Sequence, residues 1–590
     1  MGREVITIQA GTFANYVGAH YWNFQDELLG LAADPGKGYL ADQIDPTVLL
    51  RQREDRQGTL TYTPRAVIFD LNGSLGGASP GSLAGEHAPE PASSAAAATW
   101  HGQVDVHVAQ RVPRSRFVEQ LEQEPDLDAA GATSAESSAA ANALAAAAKE
   151  LDKQDGVRSW TDFVKVYFAP QSLCLLPGLW QGAADFSGFG HGHGVLARSE
   201  EFREQALDRV RLFAEECDSL QGFQCMVEDL TGFGHFTYEL LQLLGDDYPR
   251  SPIKLYALRM SQQAASPQGA AGRQQRLSEA ASLARLSEVS SLYVPLAPPL
   301  AIPCVRWNPR SRFHASALAA CVIEAASTPY RLSRDPPDGP LGAPIGACDL
   351  GSFTELLRPC PSNNMVSAYA ALPCPVVPDL HALQAAQDAR QTLREVSAQQ
   401  PFTESHTLSW TPRMPAGAAE KLAESVVLRG AQRGGRVLAA QEAAAALDAA
   451  LMQEGSRCVR HRCVAPQSIP IPLAFPGVFQ RRCSSPVVSA NGRAGSWQNR
   501  AAPPTELGGC QAADNGILDS VPALTRLCAS PHAAEVAAAL LQNFRGLARS
   551  GPGTAILQGW SYTSDDITEI EERLQQMASC YDADDDADAF

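Results

Sequence analysis

The stretch that most restricts the fold is residues 5–27, VITIQAGTFANYVGAHYWNFQDE, in which an alternating apolar strand reaches a turn at Gly11 and continues with apolar and aromatic residues at helical spacing. A buried strand that runs through a small-residue turn into a helix is how many α/β proteins hold phosphate on backbone N–H groups. The same order returns later, where QGFQCMV leads through EDLTGFGH into FTYELLQLLGDDYP, a helix expected to stop before Pro249. Between the two units, YTPRAVIFDLNGSL carries the run Ala66 to Phe69, which suits a parallel strand covered on both faces. The pattern predicts an α/β fold.

At 590 residues the chain exceeds one ordinary core, and its 45% apolar content can fill two or three domains. A balance of 47 Lys and Arg against 65 Asp and Glu gives a net charge of -18, which repels nucleic-acid phosphates and anionic lipid. The 14 cysteines lack framework spacing, no apolar signal region precedes the first strand, and the apolar run in SLYVPLAPPLAIPCV is short and broken by prolines. Reduced thiols, a cytosolic face and no transmembrane segment are expected. Gly2 invites an N-myristoyl group, but position 6 is Ile6 and not Ser or Thr.

Composition divides the remainder. A first segment covers 1–124 with a loop insert at 76–100, followed by an Ala/Ser-rich linker at 125–156, which can form no more than a fraying helix that buries little. Then come an ordered region at 157–340, a smaller α+β region at 341–483, a polar linker at 484–515, a helical region at 516–581 and an acidic tail at 582–590. Phe202, Ala206, Val210, Phe213 and Cys217 mark one face of a helix over 201–217. Near the end, Thr563 and Asp566 resemble a capping box, and Ile567, Ile570, Leu574, Met577 and Tyr581 line a face expected to pack on the body. The Asp-rich end from Asp582 to Asp588 is expected to be disordered and to attract basic partners.

The wording of several segments is more specific than their pattern. REVITIQAGTFANYVGAHYW, YTPRAVIFDL, EECDSLQGFQ and LSEVSSLY resemble tubulin at matching positions and in tubulin order. Their departures from tubulin, with PYRL at 329–332, SVVLRG at 425–430 and the ending ITEIEERLQQMASCY, make the chain similar to the Misato family over about residues 1–75 and 157–333, with islands beyond. In those terms 1–124 resembles a Misato segment II and 157–340 the family's tubulin-like domain. The resemblance implies a tubulin/FtsZ-like parallel sheet with helices on both faces, plus the smaller α+β domain and C-terminal helices. It also implies a role in mitochondrial distribution, morphology and mitochondrial DNA inheritance, at the cytosolic face of the outer membrane and in the cytoplasm. The implied partners are proteins, either mitochondrial outer-surface proteins or tubulin and chaperonin subunits, and no nucleic acid. The alternatives are a GTP-binding, polymerising tubulin-like protein and a cofactor of tubulin or spindle microtubule assembly.

The tubulin pattern also says where a nucleotide would lie: Gly11, Asn15, Asp70, Gly232 and Gly234 hold matching positions, as a vestigial nucleotide site. After QAG, tubulins carry Gln, Cys, Gly, Asn and Gln, whereas Thr12, Phe13, Ala14, Asn15 and Tyr16 stand here, so only Asn15 is kept. Asn72 replaces the Glu that faces magnesium and lacks its charge. Glu228 and Asp229 enter the phosphate loop and bring like charge toward an anion, opposed by His235 if protonated and by the helix N-terminus. Asn308 and Glu324 are too far apart for a tubulin-like catalytic loop. No hydrolysis, no catalytic residue and no cofactor are therefore expected, GTP being the one ligand the resemblance leaves open.

Plainer readings stand beside these. Gly11, Asn15 and Gly18 suit turn geometry and capping. His191 and His193 in GHGHG lack carboxylates, and Cys458, His461, Cys463 and Cys483 lack zinc spacing, so no metal is expected. The arginines of LRGAQRGGR read as a solvated loop, and no nucleophile elbow accompanies any Ser or Cys.

Overall fold

A computed structural model describes residues 3–32, 40, 42–54, 60–85, 112–123, 134–153, 156–262, 267–336, 339–377, 402–415, 420–433, 436–455, 457–479, 511–512 and 518–581. Its first sheet is built from β1 (Glu4–Ala10), β2 (Ala66–Asn72), β3 (Leu173–Trp180), β4 (Leu220–Val227), β5 (Ile253–Leu258) and β6 (Leu292–Leu296). These six strands run in the order β3-β2-β1-β4-β5-β6, and every pair is parallel. Thr7 of β1 sits between Ala66 of β2 and Gln224 of β4, so the winding reverses beside β1.

The pleat of β1 sends Ile6, Ile8 and Ala10 into one core and Val5 into another. The Val5 face is covered by α1 (Thr12–Ala32), by α2 (Ser134–Leu151) and by a helix described below. The other face carries α3 (Glu200–Glu215), α4 (Gly232–Asp247) and α5 (Gly269–Glu288). In α3, Ser199 accepts from the Phe202 N–H and so caps the helix, and Phe202, Ala206, Val210 and Phe213 are buried as their spacing predicts. Cys217 lies beyond the helix end. The Ala-rich stretch expected to be a linker is corrected by α2, whose Leu144, Ala147, Ala148 and Leu151 enter the same core as α1. A leucine every second turn, Leu144 and Leu151, with alanines between makes a narrow apolar stripe, which suffices when the neighbour can approach closely. Of the expected loop insert, residues 76–85 contain a capped turn at Pro80–Leu83, and 86–100 lie outside the described residues.

α6 (Arg312–Arg331) completes the Val5 face and also touches a second sheet. That sheet contains β7 (Ser367–Ala371), β8 (Leu408–Ser409), β9 (Ala423–Arg429), β10 (Val459–Ala465) and β11 (Ala523–Ala529), in the order β8-β7-β11-β9-β10. β10 is parallel to β9, with α7 (Ala440–Glu454) as the crossover, and β11 is antiparallel to both of its neighbours through Thr525 opposite Ala370 and Val427. The α+β region therefore does not end at 483: its central strand comes from the part read as helical.

After β11, α8 (His532–Ala548), α9 (Gly551–Gly559) and α10 (Ser564–Ala578) pack against α5 on the first sheet's outer layer. Thr563 and Asp566 form the expected capping box, and Ile570, Leu574 and Met577 are fully buried, with Ile567 partly so. The acidic tail and residues 484–510 of the polar linker lie outside the described residues. Among the described residues no helix is long and apolar enough to cross a membrane.

Candidate functional site

The reversal of winding leaves a crevice beyond the C-terminal ends of β1 and β4, the place where open parallel sheets take ligands. Gly11 leaves β1 with φ +110°, and a Cβ on it would stand 2.6 Å from Glu228 Cβ, so the turn needs glycine twice over. Glu228 leaves β4 and points back at α1, where its Oε2 accepts from the Phe13 N–H at 2.9 Å. The first N–H groups of a helix have no acceptor within the helix, and the dipole there favours negative charge. The chain thus sets a carboxylate of its own where a phosphate would be held. Burial raises the Glu228 carboxyl above its ordinary range, Asp70 adds to this, and Arg312 opposes it.

Asp70 faces the protein rather than the crevice. Its Oδ1 accepts from Thr12 Oγ1 (3.0 Å) and the Leu71 N–H (2.8 Å), and its Oδ2 from Asn15 Nδ2 (2.8 Å) and Trp160 Nε1 (3.1 Å). Full burial raises its pKa. Asn15 also donates to the Phe69 carbonyl at 3.1 Å, so this pair ties α1 to β2. Asn72 donates to the carbonyls of Leu176 (3.0 Å) and Leu179 (3.3 Å) on the edge strand β3. Gly18 lies inside α1 against the Gln9 side chain, so its role is close packing and not capping.

At the second turn the donors are also used. The Gly232 N–H donates to the Phe186 carbonyl and the Gly234 N–H to that of Thr231, each at 2.9 Å. A Cβ on Gly232 or on Gly234 would come within 2.6 Å of the Phe186 or the Phe189 ring, because the segment holding the 3-10 turn Phe189–Gly192 lies across the start of α4. Asp229, expected near the anion, turns inward instead: it pairs with Arg259 at 2.7 Å and accepts from Ser282 (2.7 Å) and Tyr293 (3.2 Å). His235 does not supply a cation to the loop, since Nδ1 lies 2.8 Å from Tyr562 Oη and burial lowers its pKa. Glu324 is enclosed between Arg331 (2.6 Å) and Arg429 (2.7 Å), so Arg429 is a buried ion-pair partner and not part of a solvated loop.

Beside Glu228 lies a cavity of about 630 Å³ lined by Phe13, Arg259, Gln262, Glu279 and Arg413 among others. Its charges are engaged, Arg259 by Asp229 and Arg413 by Glu279 at 2.5 Å. A triphosphate entering here would meet the Glu228 carboxylate and N–H groups already donating, and a magnesium ion would find Asp70 occupied by four donors. As they stand, these residues do not fit the pair. Of the five positions predicted from the sequence, Gly11, Asn15 and Asp70 meet at the first turn and Gly232 and Gly234 lie at the second, and none of the five is among the residues that line the cavity. What the sequence reading missed is that Glu228 fills the site rather than merely repelling its ligand; the signal was an acid placed directly after an apolar strand.

A profile of the Misato segment II tubulin-like domain matches residues 3–123, and one of a tubulin domain matches residues 149–332. The chain is 27% identical to human protein misato homolog 1 over 98% of each chain. It is 28% identical to Drosophila melanogaster misato over 63% of this chain and 65% of that one. To protein DML1 of Gibberella zeae it is 32% identical, over 56% of this chain and 61% of the other.

Proposed function

The chain belongs to the Misato family of tubulin-like proteins, and from that premise we propose that it acts, without hydrolysing nucleotide, in the distribution, morphology and DNA inheritance of mitochondria, from the cytosolic face of their outer membrane and from the cytoplasm. The observation that carries the non-enzymatic half is the Glu228 carboxyl accepting from the Phe13 N–H, an internal acceptor that occupies the strand switch. The mitochondrial half rests on the family resemblance. A tubulin-like body whose phosphate donors are consumed internally works as a scaffold, and its partners are proteins.

Two measurements test this. Gently purified full-length protein, denatured and filtered, releases no stoichiometric guanine nucleotide and shows no magnesium-dependent GTP hydrolysis above background; bound GTP or GDP at one per chain would overturn the pseudo-enzyme reading. Cells depleted of the protein show clumped or unevenly inherited mitochondria with reduced mitochondrial DNA. Normal mitochondria together with spindle defects, and recovery of tubulin and chaperonin subunits in place of mitochondrial surface proteins, would overturn the mitochondrial reading in favour of tubulin assembly.

A further inference from the structure

Three metal-ligating side chains meet one turn beyond the covered start of α4. His235 and Glu239 stand four residues apart on that helix, hence on one face, and His193 follows the turn Phe189–Gly192. One donor atom from each lies within 4.8 Å of the other two. His235 Nε2 and Glu239 Oε1 are 3.4 Å apart. Two ligands on a tetrahedral ion with bonds of ~2.0–2.1 Å are separated by ~3.3 Å, so this pair already has the spacing of a coordination edge. The His193 ring lies against that of His235, with centroids 4.9 Å apart. His193 is less buried than His235, so its ring is the freer of the two to turn toward the pair.

The surroundings support ligation. Tyr562 Oη holds Nδ1 of His235 at 2.8 Å, which leaves Nε2 facing Glu239, the outer-partner arrangement that fixes a metal-binding imidazole. The Gly194 N–H donates to Glu239 Oε1 at 2.6 Å and orients the carboxylate. The neighbouring cation, Arg285, is neutralised by Asp566 at 3.0 Å and Glu569 at 2.6 Å. We propose that His193, His235 and Glu239 bind a divalent ion of the zinc type, with a fourth position left for water or another donor. Two imidazoles and one carboxylate select zinc over magnesium and calcium, which take oxygen ligands. The ion would join the segment before α3, the helix α4 and, through Tyr562, the C-terminal helices.

The test uses full-length protein stripped with a chelator, then titrated with zinc and with cobalt as a coloured probe, beside His193→Ala and Glu239→Gln. With 12 His and 14 Cys in the chain, other weak sites are expected, so the reading is the difference between proteins. Wild type takes up one more equivalent of zinc than either variant, its melting temperature rises with zinc and not with magnesium, and its cobalt absorption is lost in both variants. His193 is half-buried and Glu239→Gln keeps the side-chain shape, so both variants melt near the metal-free wild type; if one fails to fold, the other decides. Tyr562→Phe keeps the stoichiometry and weakens zinc binding by ~10-fold. Equal zinc uptake by wild type and a folded variant, or no zinc-dependent melting shift in wild type, overturns the proposal.

Discussion

Glu228 answers two requirements at one residue, an acceptor for the Phe13 N–H and a side chain that packs over the bare Cα of Gly11. Glu228→Ala removes the acceptor and is expected to cost ~1–3 kcal/mol in urea unfolding. Glu228→Gln, which can still accept from that N–H, costs less, and only Glu228→Ala gains a phosphate-dependent rise in melting temperature. The acid itself is legible in the sequence, where it is expected to repel phosphate. The direction of its neighbour is not: Asp229 lies inside the turn closed by the Thr231 N–H on the Glu228 carbonyl, and its side chain leaves toward Arg259 while that of Glu228 reaches Phe13. A second residue gives a pH test. Lys254 is fully buried, donates to the Ala326 carbonyl at 3.2 Å, and lies 4.4 to 5.1 Å from the ring centroids of Phe353, Tyr330 and Tyr256. The rings favour a cation, but loss of water outweighs them and lowers the ammonium to about 7. Between that value and the unfolded ~10.4 the unfolded chain binds the extra proton, so this residue makes stability rise with pH across that window and the gain is lost as pH falls toward 7. Buried thiols such as Cys225 and Cys321, pushed up by burial, act in the opposite sense. The quantity to compare is therefore the difference between wild type and Lys254→Met, which grows with pH at up to ~1.4 kcal/mol per unit in favour of the wild type.

Among the elements, α10 has the most legible design, because cap and stripe are both local. Its box is reciprocal, with the Thr563 N–H donating to Asp566 at 2.9 Å and the Asp566 N–H to Thr563 at 3.2 Å. Thr563→Ala should cost ~1 kcal/mol, the usual worth of such a cap. Leu574 is fully buried against α5 and α8, and Leu574→Asp places a charge with no partner there, which should cost several times more, ~3–5 kcal/mol, by the same urea titration. Equal costs for the two would mean that the apolar stripe does not hold α10 in place. By contrast, α2 was misread because alanine carries little burial signal, and the helix is recognised only when the core beneath it is known. The histidines of GHGHG were set aside for want of a carboxylate, and that carboxylate, Glu239, arrives from a helix that begins far along the chain.

Over the whole molecule, the centre of the first sheet follows from local units, β1 with α1 and β4 with α4, each a strand leading through a turn into a helix, which is why its parallel architecture was legible. The second sheet hides its centre. β11 lies between Pro522 and Pro531, short and apolar, and nothing near it says that it belongs between β7 and β9. Buried charge then binds helix to sheet through Glu324 of α6 on Arg429 of β9, and strand to strand within the sheet through Glu424 of β9 on Arg526 of β11 at 3.1 Å. A break in the chain between residues 484 and 510 should accordingly leave both fragments co-eluting from gel filtration, since β11 stays paired on two sides and α10 stays buried. A chain ending at 483 should aggregate; a soluble 1–483 that melts cooperatively would contradict this account. The position of β11 also sets an order in time. At ~5–20 residues per second of synthesis, ~8–30 s separate the appearance of β7 from that of β11. For the last ~5–20 s of that interval, once β9 has followed β7 out, two strands have been delivered whose open edges face a gap, a template for any other extended chain nearby. Newly made copies crowded on one message are thus each other's first hazard, and the hazard ends only when residue 529 is out.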